Sequence, residues 1–228
     1  MVALFVVLTI LLFLTVDWFV QRRQVQRAQL VKPTVMNEWT VNPEKLPAGL
    51  FLDRGHTWSE LVKDGEMRIG VDELPVYTLG AVDHVELPTP GEKVSEGEPL
   101  FVLTRGDREI VVRSPVSGTV RAINLDAASD PAELEHDPFG HSWLVQIAPE
   151  DLGGAFNGKL IGEAARSFLR DEFGRFRDFI AGLVPGSPEF ATLQDGGFPA
   201  RGVLTQLPED QWKAVATWIS SRETQKNS

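Results

Sequence analysis

The residues able to do chemistry are few, and their spacing limits what they could do. The chain has no cysteine. Disulfides, thiolate metal sites, iron–sulfur clusters, covalent haem and thiol nucleophiles are therefore excluded. Four histidines remain. His136 and His141 flank Asp137-Pro-Phe-Gly140, and with Glu135 and Asp137 they offer ligand types for a divalent metal. Asp-Pro and Phe-Gly spell an irregular turn, however, and a zinc site needs ligands that converge and are themselves held by hydrogen bonds. No metal is expected. His56 opens a His-Thr-Trp triplet and reads as structural, and His84 reads as a strand-face residue beside Val82 and Val85. Asp126, Asp130, Glu133, Glu135 and Asp137 lack the spacing of a calcium loop and read as a solvated acidic loop. Gly153-Gly154 and Gly196-Gly197 lack the strand–glycine–helix context of a phosphate loop, and Ser117 lies outside a G-x-S-x-G elbow. No catalytic set assembles, so a non-enzymatic protein is expected.

The elements that would position these residues fall into four segments. Val2 to Val20 is almost wholly apolar, with Leu11 and Phe13 central and a single charge, Asp17, near one end. As a helix it spans about 28 Å, the thickness of a bilayer core. Trp18 and Phe19 suit the interface, and Arg22, Arg23 and Arg27 form a basic collar. The charge follows the apolar run and no small-residue cleavage site appears, so residues 1–27 read as an uncleaved anchor. By the positive-inside rule, the rest of the chain lies on the cytoplasmic side of a bacterial inner membrane. Residues 28–48, with three prolines, read as a linker or a strap on the next domain.

Residues 49–152 hold short β-branched runs split by turn signals: Met67–Val71, Val82–Leu87, Pro99–Leu103, Glu109–Arg113, Thr119–Ile123 and Trp143–Ile147. That pattern predicts a mainly β domain, a small barrel or sandwich. Residues 153–228 change period. Phe168, Leu169, Phe173, Phe176, Phe179, Ile180 and Leu183 recur at helical spacing up to Pro185-Gly186, with Glu172 among the intervening charges. A second helix starts near Pro208, with Trp212, Val215, Ala216 and Ile219 as its stripe and Trp218 beside it. These apolar faces either pack on the β domain or bind a partner.

Within the β region, Thr104–Arg113 reads as a hairpin around a Gly106-Asp107 turn. Arg105, Asp107 and Arg108 there are either a solvated tip or a polar surface for a partner. Landmarks surround it in order: His56-Thr-Trp58, Arg68-Ile-Gly-Val-Asp72, Pro90-Gly91, Ser114-Pro-Val-Ser-Gly118 and Asp137-Pro-Phe-Gly140 followed by Ser142-Trp-Leu144. This ordered set resembles the glycine cleavage H-protein, a lipoyl-carrying relative of the biotinyl/lipoyl domains. The resemblance implies a barrel-sandwich hybrid of two similar halves, with a lipoylated lysine on a hairpin turn seven residues before the SPVSG serine. Counting back from Ser114 gives Asp107, and the hairpin has no lysine. Gly106 and Arg108 on either side cannot form the amide. The implied cofactor position is lost, and no cofactor is expected.

The 22 basic and 32 acidic residues give a net charge of −10, which argues against nucleic-acid binding. Beyond residue 27 there remain 19 basic and 31 acidic residues, a charge of −12. The expectation is therefore a non-catalytic, membrane-anchored accessory or scaffold subunit. Its partners would be the bilayer, through residues 2–20, and other subunits of a membrane complex, with a respiratory or photosynthetic complex favoured. Arg105, Asp107, Arg108, Phe173, Phe176, Trp212 and Trp218 are the partner-binding candidates. The alternative is a membrane-tethered lipoyl-type carrier or a ligand-sensing relative.

Overall fold

A computed structural model describes residues 46–184 and 198–221. The proposed anchor, most of the strap and the Pro185–Gly197 loop lie outside the described residues. Among the described residues no helix is long and apolar enough to cross a membrane. All of them belong to one contact unit, 41–228.

The fold is mainly β, in two antiparallel sheets that share one core. Strands β1 (Leu50–Asp53), β2 (Thr57–Leu61), β3 (Met67–Val71), β9 (Val145–Pro149), β8 (Gly118–Ile123) and β5 (Lys93–Val94) follow one another across the larger sheet. The smaller sheet holds β4 (His84–Glu86), β6 (Pro99–Arg105) and β7 (Arg108–Arg113), so β7 is an edge strand. In β3, Met67, Ile69 and Val71 face inward with nothing exposed, as strict alternation requires. Gly70, between them, lies flat under the Trp58 ring, where any Cβ would collide with the indole. That indole donates to Pro138 O at 2.6 Å and Val71 O at 3.1 Å, tying the DPFG turn to the sheet.

Helix α1 (Glu73–Leu79) is started by Asp72, whose carboxylate accepts from Leu74 N at 3.0 Å. Every residue of α1 is buried. Two short helices, α2 (Leu125–Ser129) and α3 (Glu133–His136), precede β9. Helix α4 (Glu163–Leu183) buries Ala165, Phe168, Leu169, Glu172, Phe173, Phe176 and Ile180, a stripe at three- and four-residue steps. Helix α5 (Glu209–Ser220) buries Trp212, Val215 and Ile219. The apolar faces are therefore packed in cis. Val203, Leu204, Leu207, Trp212, Val215 and Ile219 belong to the same core cluster as Met67, Leu103 and Ile110. Full burial stabilises each such side chain by about 2 kcal/mol.

Candidate functional site

The β6–β7 hairpin has the register the turn signal predicts: Arg105 pairs with Arg108, Thr104 with Glu109 and Leu103 with Ile110. Gly106 takes a positive φ of 58° and Asp107 does not, the pattern of a type II′ turn. Gly106 N donates to Asp83 Oδ2 at 2.8 Å, which anchors the turn. The Asp107 side chain is 82% exposed. A carboxylate therefore stands at the tip of the turn, and no amine is offered there.

The arginines beside it do not form a free polar tip. Arg105 Nη1 donates to Leu79 O at 2.7 Å, at the end of α1. Its guanidinium lies against Gly80 and Gly202, both at positive φ, where a Cβ on either would collide with it. Arg108 Nε and Nη2 donate to Leu204 O and Leu207 O, both at 3.2 Å, while Nη1 pairs with Asp107. The Arg108 guanidinium also lies 5.1 Å from the centre of the Trp212 ring. Further along β7, Arg113 Nε donates to Ser220 O at 3.1 Å, and Ser220 Oγ donates to Val111 O at 2.7 Å. Helix and turn ends leave carbonyls with lone pairs to spare, and a guanidinium fork can reach two at once. The hairpin arginines thus clamp the C-terminal segment onto the β7 edge. Of the partner candidates, Phe173, Phe176 and Trp212 are buried within this chain. Trp218 is half-buried, stacked on Phe179 at 5.3 Å. Asp107 is the candidate left facing solvent.

The lysines matter because a lipoyl arm needs an accessible amine. Lys159 Nζ donates to Asp53 Oδ2 at 2.6 Å and to Pro115 O at 2.7 Å, and its side chain is 2% exposed. Its amine is thus closed to acylation. Lys93 is exposed on β5, opposite Thr119. Lys63 is exposed between β2 and β3, and Lys213 pairs with Glu209 on α5.

A second polar cluster lies inside the fold. His56, at a positive φ of 62°, is completely buried. Its Nδ1 is 3.1 Å from Asp72 Oδ2, and its Nε2 is 3.9 Å from Glu172 Oε1. Arg175 pairs with Glu172, and Lys159 pairs with Asp53. Burial pulls the His56 pKa down. Asp72, by charge and hydrogen bond, then Glu172 and Asp53 by charge, outweigh it, so the net direction is above the ordinary histidine value. Sequence reasoning took His56 as structural and missed its partners. Glu172 was the available signal: a carboxylate four residues from both Phe168 and Phe176 sits on the apolar stripe.

The other histidines do not converge. His84 and His141 are exposed, and His136 ends α3. Among the described residues no three His, Asp or Glu side chains are placed to hold a metal ion.

Comparison with known proteins places this geometry in context. The family model for the glycine cleavage H-protein matches residues 50–171. A probable glycine cleavage system H protein of Pyrococcus abyssi is 29% identical over 130 residues, covering 57% of this chain and 96% of that protein. The glycine cleavage system H protein of Methylococcus capsulatus is 33% identical over 108 residues, 47% of this chain and 84% of that protein. The crystal structure of a glycine cleavage system H protein from Mycobacterium marinum aligns with a TM-score of 0.48 and 26% identity, over 56% of this chain and 98% of that one.

Proposed function

This chain belongs to the glycine cleavage H-protein family, and on that premise we propose that it is a non-lipoylated member that works by binding proteins rather than by carrying a group. The observation that carries this reading is the hairpin turn. It is kept as structure, with Asp107 at the tip and no lysine anywhere between Thr104 and Arg113. Its neighbouring arginines are spent on backbone carbonyls, Arg105 on Leu79 at the end of α1 and Arg108 on Leu204 and Leu207 of the C-terminal segment, and the one buried lysine near the SPVSG loop is spent on Asp53. A turn of this kind positions nothing that a ligase could acylate.

The protein is then an accessory or scaffold subunit without catalytic activity of its own. The apolar run Val2–Val20 and its arginine collar tether it to the bacterial inner membrane, with the H-protein-like domain on the cytoplasmic face. Its partners are subunits of a membrane complex, and energy-transducing complexes are the host class we place first, by analogy with their single-helix accessory subunits.

Purification from gently solubilised membranes, followed by intact mass spectrometry, tests both parts. The expected result is an unmodified mass and membrane subunits co-purifying in fixed ratio. A lipoyl adduct on Lys93 or any other lysine would overturn the non-carrier reading. A clean monomer without companions would overturn the scaffold reading.

A further inference from the structure

Helix α4 buries one stripe in the core, and its opposite face carries a second pattern. Ser167, Gly174 and Ala181 recur there every seven residues. Between them stand Arg170-Asp171 and Arg177-Asp178, three and four residues from each small neighbour. Seven residues are close to two turns, so the small side chains form one line, with the arginines along one flank and the aspartates along the other. Most of the set lies beyond residue 171, where the family match ends. The Arg170 and Asp178 side chains are 47% and 70% exposed, Asp171 is exposed, and Arg177 and the three small residues are half-buried. Within the chain Arg170 pairs with Glu163, Arg177 with Asp178, and Ser167 Oγ donates to Asp171 Oδ2. Surface pairs of this kind are worth little and exchange readily.

Gly174 is the member of this face that the fold does not explain. A Cβ there would meet nothing within 4 Å, and its φ is not positive, so the domain itself has room for alanine. Glycine inside a helix is less favourable than alanine. What the missing side chain permits is close approach of a second backbone from outside, since the distance between packed helices is set by the side chains at their contact.

We propose that this face of α4 binds α4 of a second copy of the chain, in a parallel, in-register pair. A two-fold axis running along the pair sets each small residue against its own counterpart, with Gly174 on Gly174 in the middle layer. The same axis brings the arginine flank of one copy against the aspartate flank of the other. Arg170 then meets Asp171 of the second copy, Arg177 meets its Asp178, and both contacts occur twice. The pairs that each chain now makes with itself are exchanged for the same chemistry between chains. An antiparallel pair with its two-fold axis through Gly174 would set arginine flank on arginine flank and aspartate on aspartate, so the charges select the parallel arrangement. The inference does not depend on the scaffold reading.

Analytical ultracentrifugation of the full chain in detergent tests it. The wild-type chain should sediment as a dimer that loosens as salt is added, because its charge contacts border solvent. Arg170→Asp with Arg177→Asp makes the face wholly acidic, and Asp171→Arg with Asp178→Arg makes it wholly basic. Each double variant alone should be monomeric, and the two mixed should regain the dimer mass. Gly174→Leu should abolish the dimer with the helix content unchanged by circular dichroism. The chain has no cysteine, so Ser167→Cys supplies a unique thiol. Mild oxidation should link it to the same position of the second copy, a contact that an antiparallel pair lacks and a reading that stands should a charge variant fail to fold. A monomeric wild-type chain, a dimer that survives both charge reversals, mixed variants that stay monomeric, or a Ser167→Cys chain that stays unlinked would each overturn the pairing. So would a photo-crosslinker on that thiol that captures residues 28–45 or a different protein in place of the second copy.

Discussion

The β6–β7 hairpin and the His56 cluster are the two polar centres of this domain, and they use charge in opposite ways. At the hairpin, Arg105 and Arg108 spend their guanidinium groups on neutral carbonyls of Leu79, Leu204 and Leu207, near the surface. At His56, ionisable groups meet one another with the ring wholly out of water. The position that the family resemblance would equip with a reactive amine carries the exposed carboxylate of Asp107 here. His56, Asp72 and Glu172 meet where solvent does not reach them. Retained fold and retained chemistry are thus separable: the hairpin keeps its backbone because its side chains now hold the C-terminal segment.

That contrast can be broken in a graded way. The largest effect is expected at the buried pair beside the His56 cluster. Lys159→Met removes the buried ammonium shared by Asp53 and Pro115 O and should cost about 3–5 kcal/mol in denaturant unfolding. The double variant with Asp53→Asn should recover most of it, because the amide oxygen can still accept from Gly55 N. A double variant as unstable as the single would show that the pair is not what the interior is built around. Arg108→Ala should cost less, about 1–3 kcal/mol, since it strips the guanidinium from Leu204 O and Leu207 O and uncovers Trp212. Arg108→Lys should not rescue it, because an ammonium lacks the fork that spans both carbonyls. Full rescue by lysine would show that charge alone matters at the hairpin. Gly106→Ala meets a positive φ and should cost roughly 1 kcal/mol by the same measurement. Asp107→Lys, at an exposed tip, should change stability by less than about 0.5 kcal/mol. It is nonetheless the sharpest probe. Co-expressed with a lipoate ligase, that variant should gain a lipoyl mass, and persistent absence of the adduct would mean the flanking arginines also block the ligase.

Much of the fold is legible along the chain, for identifiable reasons. Met67–Val71 is predicted and observed over the same residues, because β-branched residues alternate there with polar or small ones. The two long C-terminal helices follow from their stripes, from the Pro185-Gly186 stop after the first and from the Pro208 start of the second. β1 and β2 escape because Asp53-Arg-Gly-His56 interrupts them and Thr, Ser and Glu dilute the apolar signal. Helix α1 escapes because it is buried on every side and so shows no amphipathic period. The absence of the hairpin lysine is plain in the sequence, but the destination of Arg105 and Arg108 is not. Leu204 and Leu207 lie nearly a hundred residues beyond Arg108, and no local pattern encodes a side chain reaching a distant carbonyl. Glu172 reads along the chain only as one of the charges between the apolar residues, because its burial depends on Arg175 and His56, partners that only the folded chain brings to it.

The shared core of strands and C-terminal segment also sets a schedule for synthesis. Every strand, including the edge strand β7, leaves the ribosome before Val203, Leu204, Trp212, Val215 and Ile219 exist to complete the cluster they belong to. For the time needed to translate some seventy residues beyond Pro149, the nascent domain carries an uncovered strand edge and an unfinished interior. Such intermediates are prone to aggregate. Premature termination between Pro149 and Ile219 should therefore be punished by aggregation, although every strand of the family domain would already be present.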